Sequence, residues 1–109
     1  MTPPPPRHPG LAGGRWQQLS LAEQLANVGA EVGRMRRRAA AQRTAAFERA
    51  LELLDLTLAD PRWRGRLKEI ARAREVLCDA ADGGLEYGAT LEDLDRYFLD
   101  FAVAARRGR

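Results

Sequence analysis

The side chains able to carry chemistry in this chain are few and far apart. The single histidine, His8, stands in a proline-rich start, the single serine, Ser20, stands where a helix begins, and the single cysteine, Cys78, falls on an apolar helix face. Nucleophilic catalysis needs a nucleophile within hydrogen-bond reach of a base that a third group orients. With one residue of each type, and Ser20 suited to capping, Ser/His and Cys/His pairs have nothing to build on. Gly83-Gly84 lacks the spacing and the following lysine of a phosphate-binding loop. Metal chemistry is left only carboxylates, without clustered His or Cys and without the Glu-x-x-His pattern of bundle-core metal sites. The sequence thus assigns no catalytic residue, no cofactor and no metal, and the reading is of a protein that is not an enzyme. Cys78 reads as a small apolar residue of the core.

What remains chemically distinctive is arginine. Seventeen of the eighteen basic residues are Arg, Lys68 being the exception, and the net charge is +3. An Arg bias beside abundant Ala and Gly also follows from a GC-rich genome, so the positions of the arginines matter more than their number. Arg clusters supply bidentate contacts to phosphate and an affinity that falls with salt. Against that reading, charge runs are usually solvated faces, and the arginine-rich segments are poor in aromatic residues for base stacking.

The elements that must position these residues are helical. Phe47, Leu51, Leu54 and Leu58 recur at spacings of four, three and four, flanked by Ala46, Ala50 and Leu53, which is the helical period. Asp60 offers a cap and Pro61 fits the first helical position, where a missing N–H leaves nothing unpaired. A new helix follows, with Trp63, Leu67, Ile70, Ala71, Leu77, Cys78 and Ala81 on one face, ending at Gly83-Gly84. So short a connection predicts antiparallel neighbours. Upstream, Ser20 and Glu23 form a capping box for a helix with the stripe Leu21, Leu25, Val28, Val32 and Met35. Beside it, Ala22, Ala26, Gly29 and Gly33 would let another helix approach closely. The apolar pattern stops between Arg36 and Thr44 without a strong breaker, so a turn there and one long continuous helix both stand open. Downstream, Thr90 and Asp93 cap a last helix that turns Leu91, Leu94, Tyr97, Phe98, Phe101, Ala102 and Ala105 inward.

These elements predict an all-α, antiparallel up-down four-helix bundle over residues 19–107, preceded by a flexible Pro-rich leader over residues 1–18. Within the leader only Trp16 offers a large side chain to pack back onto the bundle. No apolar run approaches the roughly eighteen residues of a membrane span, and the start has no apolar signal segment, which together predict no membrane contact and a cytoplasmic address.

The topology sorts the charges. One end collects Arg62, Arg64, Arg66, Arg106, Arg107 and Arg109, with few acids besides Asp55 and Asp60; the other mixes Arg34, Arg36, Arg37, Arg38 and Arg43 with Asp79, Asp82, Glu86, Glu92, Asp93 and Asp95. Arg74 falls between Ile70 and Leu77 on an apolar stripe and reads as a buried charge. Burial of a guanidinium demands a partner. Glu31 or Asp95 could serve, or the head could enter a ligand cleft, or the stem could pack on the core while the head snorkels or pairs structurally. Leu56, Val76, Leu99 and Val103 should point away from a single bundle's core. Leu99 and Val103, one turn apart, form the candidate interface, with Leu56 beside them as a third apolar residue left outside.

The segments Leu21-Ala22-Glu23-Gln24-Leu25-Ala26-Asn27-Val28-Gly29, Ala46-Phe47-Glu48-Arg49-Ala50-Leu51-Glu52-Leu53-Leu54-Asp55-Leu56, Asp60-Pro61-Arg62-Trp63 and Arg74-Glu75-Val76-Leu77-Cys78-Asp79 resemble a small, uncharacterised family of bacterial cytoplasmic proteins, over roughly residues 16–107. The resemblance implies no activity and transfers no catalytic residue. In size, helix number and basic end the chain is also similar to the four-helix-bundle proteins of ribosomal RNA intervening sequences and to the accessory variability proteins of diversity-generating retroelements. That likeness implies a ring-forming, nucleic-acid-associated accessory. It is architectural, without shared motifs, and fold alone does not carry function.

The sequence therefore predicts a non-enzymatic helical-bundle adaptor that forms homo-oligomers and binds an RNA or nucleoprotein partner through Arg62, Arg64, Arg66, Arg106 and Arg107. The alternative is a protein-binding regulatory module that uses the Leu99/Val103 face without nucleic acid.

Overall fold

The structure, a computed structural model, describes residues 14–107. The leader reading over residues 1–13, with His8, lies outside the described residues, as does Arg109. Within them all regular structure is helical: a 3-10 turn at Trp16–Gln18, α1 Leu21–Arg37, α2 Ala40–Leu58, a 3-10 segment Pro61–Arg66, α3 Leu67–Ala81 and α4 Leu91–Arg107. Among the described residues no helix is long and apolar enough to cross a membrane.

The helix starts follow local chemistry. The Ser20 hydroxyl accepts from the Glu23 N–H at 3.1 Å while the Glu23 carboxylate accepts from the Ser20 N–H at 3.0 Å. Thr90 and Asp93 repeat the arrangement at the head of α4, at 3.1 and 2.9 Å. Each pair satisfies two N–H groups that a helix start leaves open. The first turn falls inside its expected window, at Arg38 and Ala39, both extended with ψ of 162° and 166°. The long continuous helix is thereby excluded. No side chain caps α2, which starts earlier than Thr44 because Ala40 and Ala41 favour helix by propensity.

One expected helix start is displaced. Asp60 does cap, its Oδ1 accepting from the Arg62 N–H at 3.0 Å, but the chain from Pro61 to Arg66 winds as 3-10 and is non-helical at Trp63, with φ −104° and ψ 24°. Regular α-helix begins only at Leu67. The Trp63 indole N–H donates to Gln24 Oε1 at 2.9 Å, so an anchor on α1 holds this turn out of the α-helical path. At the far end of α3, the Asp79 carboxylate accepts from the Glu86 and Tyr87 N–H groups at 3.1 and 3.0 Å, binding the connecting loop back to its helix. Gly84, at φ +73°, lets the loop fold tightly: a Cβ there would lie 2.8 Å from the Ala89 carbonyl oxygen.

The core draws Leu25, Val28, Val32 and Met35 from α1, Ala46, Ala50, Leu53 and Leu54 from α2, Ile70, Ala73 and Leu77 from α3, and Leu94 and Phe98 from α4. α1 packs extensively on both α2 and α4, while α3 meets its neighbours over fewer residues. Gly29 faces the Cβ of Phe98, so the small-residue stripe of α1 receives α4. Trp16 is fully buried as well. Trp16 thus packs back onto the helices, as expected of the one large side chain there, its burial removing a large apolar surface from water. Leu56 and Val76, expected to face outward, are half-buried and packed against the core, and Val103 is half-buried.

Candidate functional site

The basic end is built around a buried polar network. Gln24 donates its amide N–H groups to the Trp16 carbonyl (2.8 Å) and to Asp60 Oδ2 (3.0 Å), and accepts from Trp63. The Trp16 indole N–H donates to Thr57 Oγ1 at 3.2 Å, and Thr57 donates in turn to the Leu53 carbonyl at 3.1 Å. Among the described residues no buried side-chain nitrogen or oxygen lacks a partner. A fully satisfied network of this kind fixes structure and leaves no group free for a ligand.

Arg62 belongs to this network. Its guanidinium grips Asp60 at 2.7 Å, donates to the Leu19 carbonyl at 2.7 Å and lies 4.4 Å from the centre of the Trp63 ring. Arg62 therefore bridges the 3-10 segment to the start of α1, and is engaged before any phosphate arrives. Arg66 pairs with Glu69 at 2.8 Å. Arg64, Arg106 and Arg107 are exposed and make no ion pair within the described residues. Arg106 shares a shallow groove with Leu19 and Glu23, so the end of α4 and the start of α1 do meet. Leu19 thus meets both Arg62 and Arg106, and of the five expected arginines Arg62 and Arg66 are already paired.

Asp60 gives this network a pH signature. Its side chain is 1% exposed, and hydrogen bonds from Arg62, aided by Gln24, outweigh burial and lower its pKa from 3.8 to about 2. The folded carboxyl binds its proton more weakly than the unfolded one. Its contribution to stability is therefore complete above pH 3.8 and is lost as the pH falls towards 2. Circular dichroism of urea unfolding across that window should show proton uptake on unfolding, and Asp60→Asn should reduce that uptake by up to about one proton. An acid limb identical in both proteins would contradict the assignment.

The buried charge lies elsewhere than expected. Arg74 is only half-buried, 35% exposed, and its Nε donates to Asp55 Oδ1 at 2.8 Å rather than to Glu31 or Asp95. Its position on α3 faces the edge of α2, where Asp55 stands in solvent, so stem packing and a surface pair replace burial. The pair holds Arg74 more firmly in its charged form. Among the described residues the buried charges are carboxylates: Asp60, gripped by Arg62, and Glu31, clasped by Arg34 and by Arg49 at 2.9 Å. The signal for Glu31 in the sequence was its place between Val28 and Val32, with Arg34 three residues on. Asp95 instead pairs with Arg36 at 2.6 Å, tying α4 to α1.

Two surface features remain. On the α1–α4 side, Ala26, Ala30, Gly33 and Ala102 line a groove of about 240 Å³ beside Leu99, whose residue surface is 55% exposed. Between α3 and α4, a second groove of about 400 Å³ has Ala73, Val76 and Leu94 in its lining, with Glu69, Arg72 and Tyr97 around it. Tyr97 packs edge-on to Phe98 and Phe101, and burial with the neighbouring Glu69 charge pushes its pKa up to about 12. No group of three or more metal-ligating side chains comes together among the described residues. Comparison of the chain with protein-family models, with curated proteins and with solved structures gives no match.

Proposed function

We propose that this chain is a non-enzymatic cytoplasmic adaptor, an up-down antiparallel four-helix bundle that self-associates through its α1–α4 face. The observation that carries the reading is Leu99, a large exposed side chain standing at the rim of a groove floored by small residues on the same face. A face that bears both a knob and a hole is self-complementary, as a two-fold interface requires. The topology is supported by pairs that join helix starts to helix ends: Leu19 with Arg106, and Trp16 with Thr57.

Light scattering coupled to size-exclusion chromatography tests the joint. The wild type is expected to elute as a dimer or larger ring, and Leu99→Asp as a monomer with unchanged helicity by circular dichroism, because a carboxylate would be desolvated at the centre of the interface. A wild-type monomer at high protein concentration would overturn the reading. Arg64, Arg106 and Arg107, which pair with no carboxylate among the described residues, favour a nucleic-acid contact as a second reading, with Arg62 and Arg66 removed from the expected set. Absorbance at 260 nm that leaves the protein peak at high salt would support it, and a peak without nucleic acid at low salt would reject it.

A further inference from the structure

Independently of self-association, and on a different face of α4, the α3–α4 groove has an unusual electrostatic composition. Its floor is apolar, but four ionisable groups surround it: Glu69, Arg72, Asp93 and Tyr97. Three of them are already engaged. Tyr97 donates its hydroxyl to Glu69 at 3.2 Å, Glu69 is also bound by Arg66, and Asp93 accepts from the Thr90 N–H at the head of α4. Hydrogen bonding to Thr90 holds Asp93 below its ordinary pKa, so it stays ionised in its capping role.

Arg72 is the exception. It is exposed, makes no ion pair with a described carboxylate, and rests with its guanidinium carbon 5.0 Å from the centre of the Tyr87 ring. Tyr87 is itself fixed at both ends, its hydroxyl donating to Glu75 at 3.1 Å and its N–H donating to Asp79 at 3.0 Å. A cation oriented by an aromatic face keeps its charge and its in-plane donors. Such a group at the rim of an apolar groove recognises the anionic head of an otherwise apolar molecule.

We propose that the α3–α4 groove binds a medium-chain monocarboxylate, with its hydrocarbon on Ala73, Val76 and Leu94 and its carboxylate forked by Arg72. One available cation matches one negative charge, whereas Glu69 and Asp93 at the rim disfavour a second. A guanidinium takes a carboxylate through two parallel N–H donors. The volume of about 400 Å³ lies within the range of small-ligand sites.

Isothermal titration of the full chain with decanoate, and separately with decan-1-ol, tests this. Decanoate is expected to saturate at one molecule per chain, with decan-1-ol at least about tenfold weaker for want of the charge. Arg72→Gln should weaken decanoate by about tenfold while leaving decan-1-ol unchanged, and Ala73→Leu, which fills the floor, should weaken both. Should Ala73→Leu lose helicity, Val76→Phe serves in its place. Absence of saturable decanoate binding, equal affinity for the alcohol, or an Arg72→Gln variant that binds decanoate as the wild type does would each overturn the proposal.

Discussion

Replacing Trp16 by alanine is expected to destabilise the fold by about 3–5 kcal/mol, the range for deleting a large aromatic from a packed core. The indole is fully buried and its N–H donates to Thr57, while the backbone carbonyl of Trp16 accepts from Gln24. Truncation would remove the ring's packing and leave a void between the 3-10 turn and α2. The Thr57 hydroxyl would keep its bond to the Leu53 carbonyl, so most of the loss comes from packing and little from a stranded polar group. Small domains are stable by roughly 5–15 kcal/mol in all, so this one change would leave the chain close to unfolding. Trp16→Phe separates the contributions: it retains most of the apolar surface and is expected to lose only about 1–2 kcal/mol. Urea unfolding followed by circular dichroism reads both values. A Trp16→Ala midpoint equal to that of the wild type would show that the residue lies outside the cooperative unit.

Gly29→Ala sets two effects against each other. Alanine gains about 1 kcal/mol of helix propensity over glycine within a helix. Yet a Cβ at position 29 would lie 2.6 Å from the Cβ of Phe98, an atom too close to its own backbone to swing aside. α1 and α4 would have to separate, loosening the packing of Phe98 and the Arg36–Asp95 pair that joins the same helices. Overpacking of this kind costs about 1–3 kcal/mol, so the net expectation is destabilisation by about 0–2 kcal/mol. Gly29→Leu should be worse. Gly65→Ala is the control, because nothing lies within 4 Å of its Cβ direction, and it is expected to be neutral or slightly stabilising. A Gly29→Ala protein more stable than the wild type would mean that the helices give way at no cost.

Much of the architecture was legible because it depends on neighbours in sequence. The capping boxes at Ser20/Glu23 and Thr90/Asp93 involve residues three apart, and the apolar stripes of α1 to α4 follow from the helical period. The small-residue stripe on α1 announced a close neighbour, though not that Phe98 would be the residue received. The start of α3 was misread because its path is set by Trp63 donating to Gln24, thirty-nine residues away. Arg62, read as a hand for phosphate, is held by Asp60 and by the Leu19 carbonyl. Local spacing showed the charge; it could not show that two acceptors would already surround it.

The sequence by itself determined that the described chain is helical, where α1 and α4 present their apolar faces, and how those two helices start, since periodicity and caps act over one or two turns. Only the tertiary structure decided that Trp16 is core, that Glu31 and Asp60 rather than Arg74 are the buried charges, and that Arg72 pairs with no described carboxylate at the rim of an apolar groove. Burial and ion pairing depend on which distant groups converge on a side chain. That convergence is a property of the packed helices, not of the spacing along any one of them.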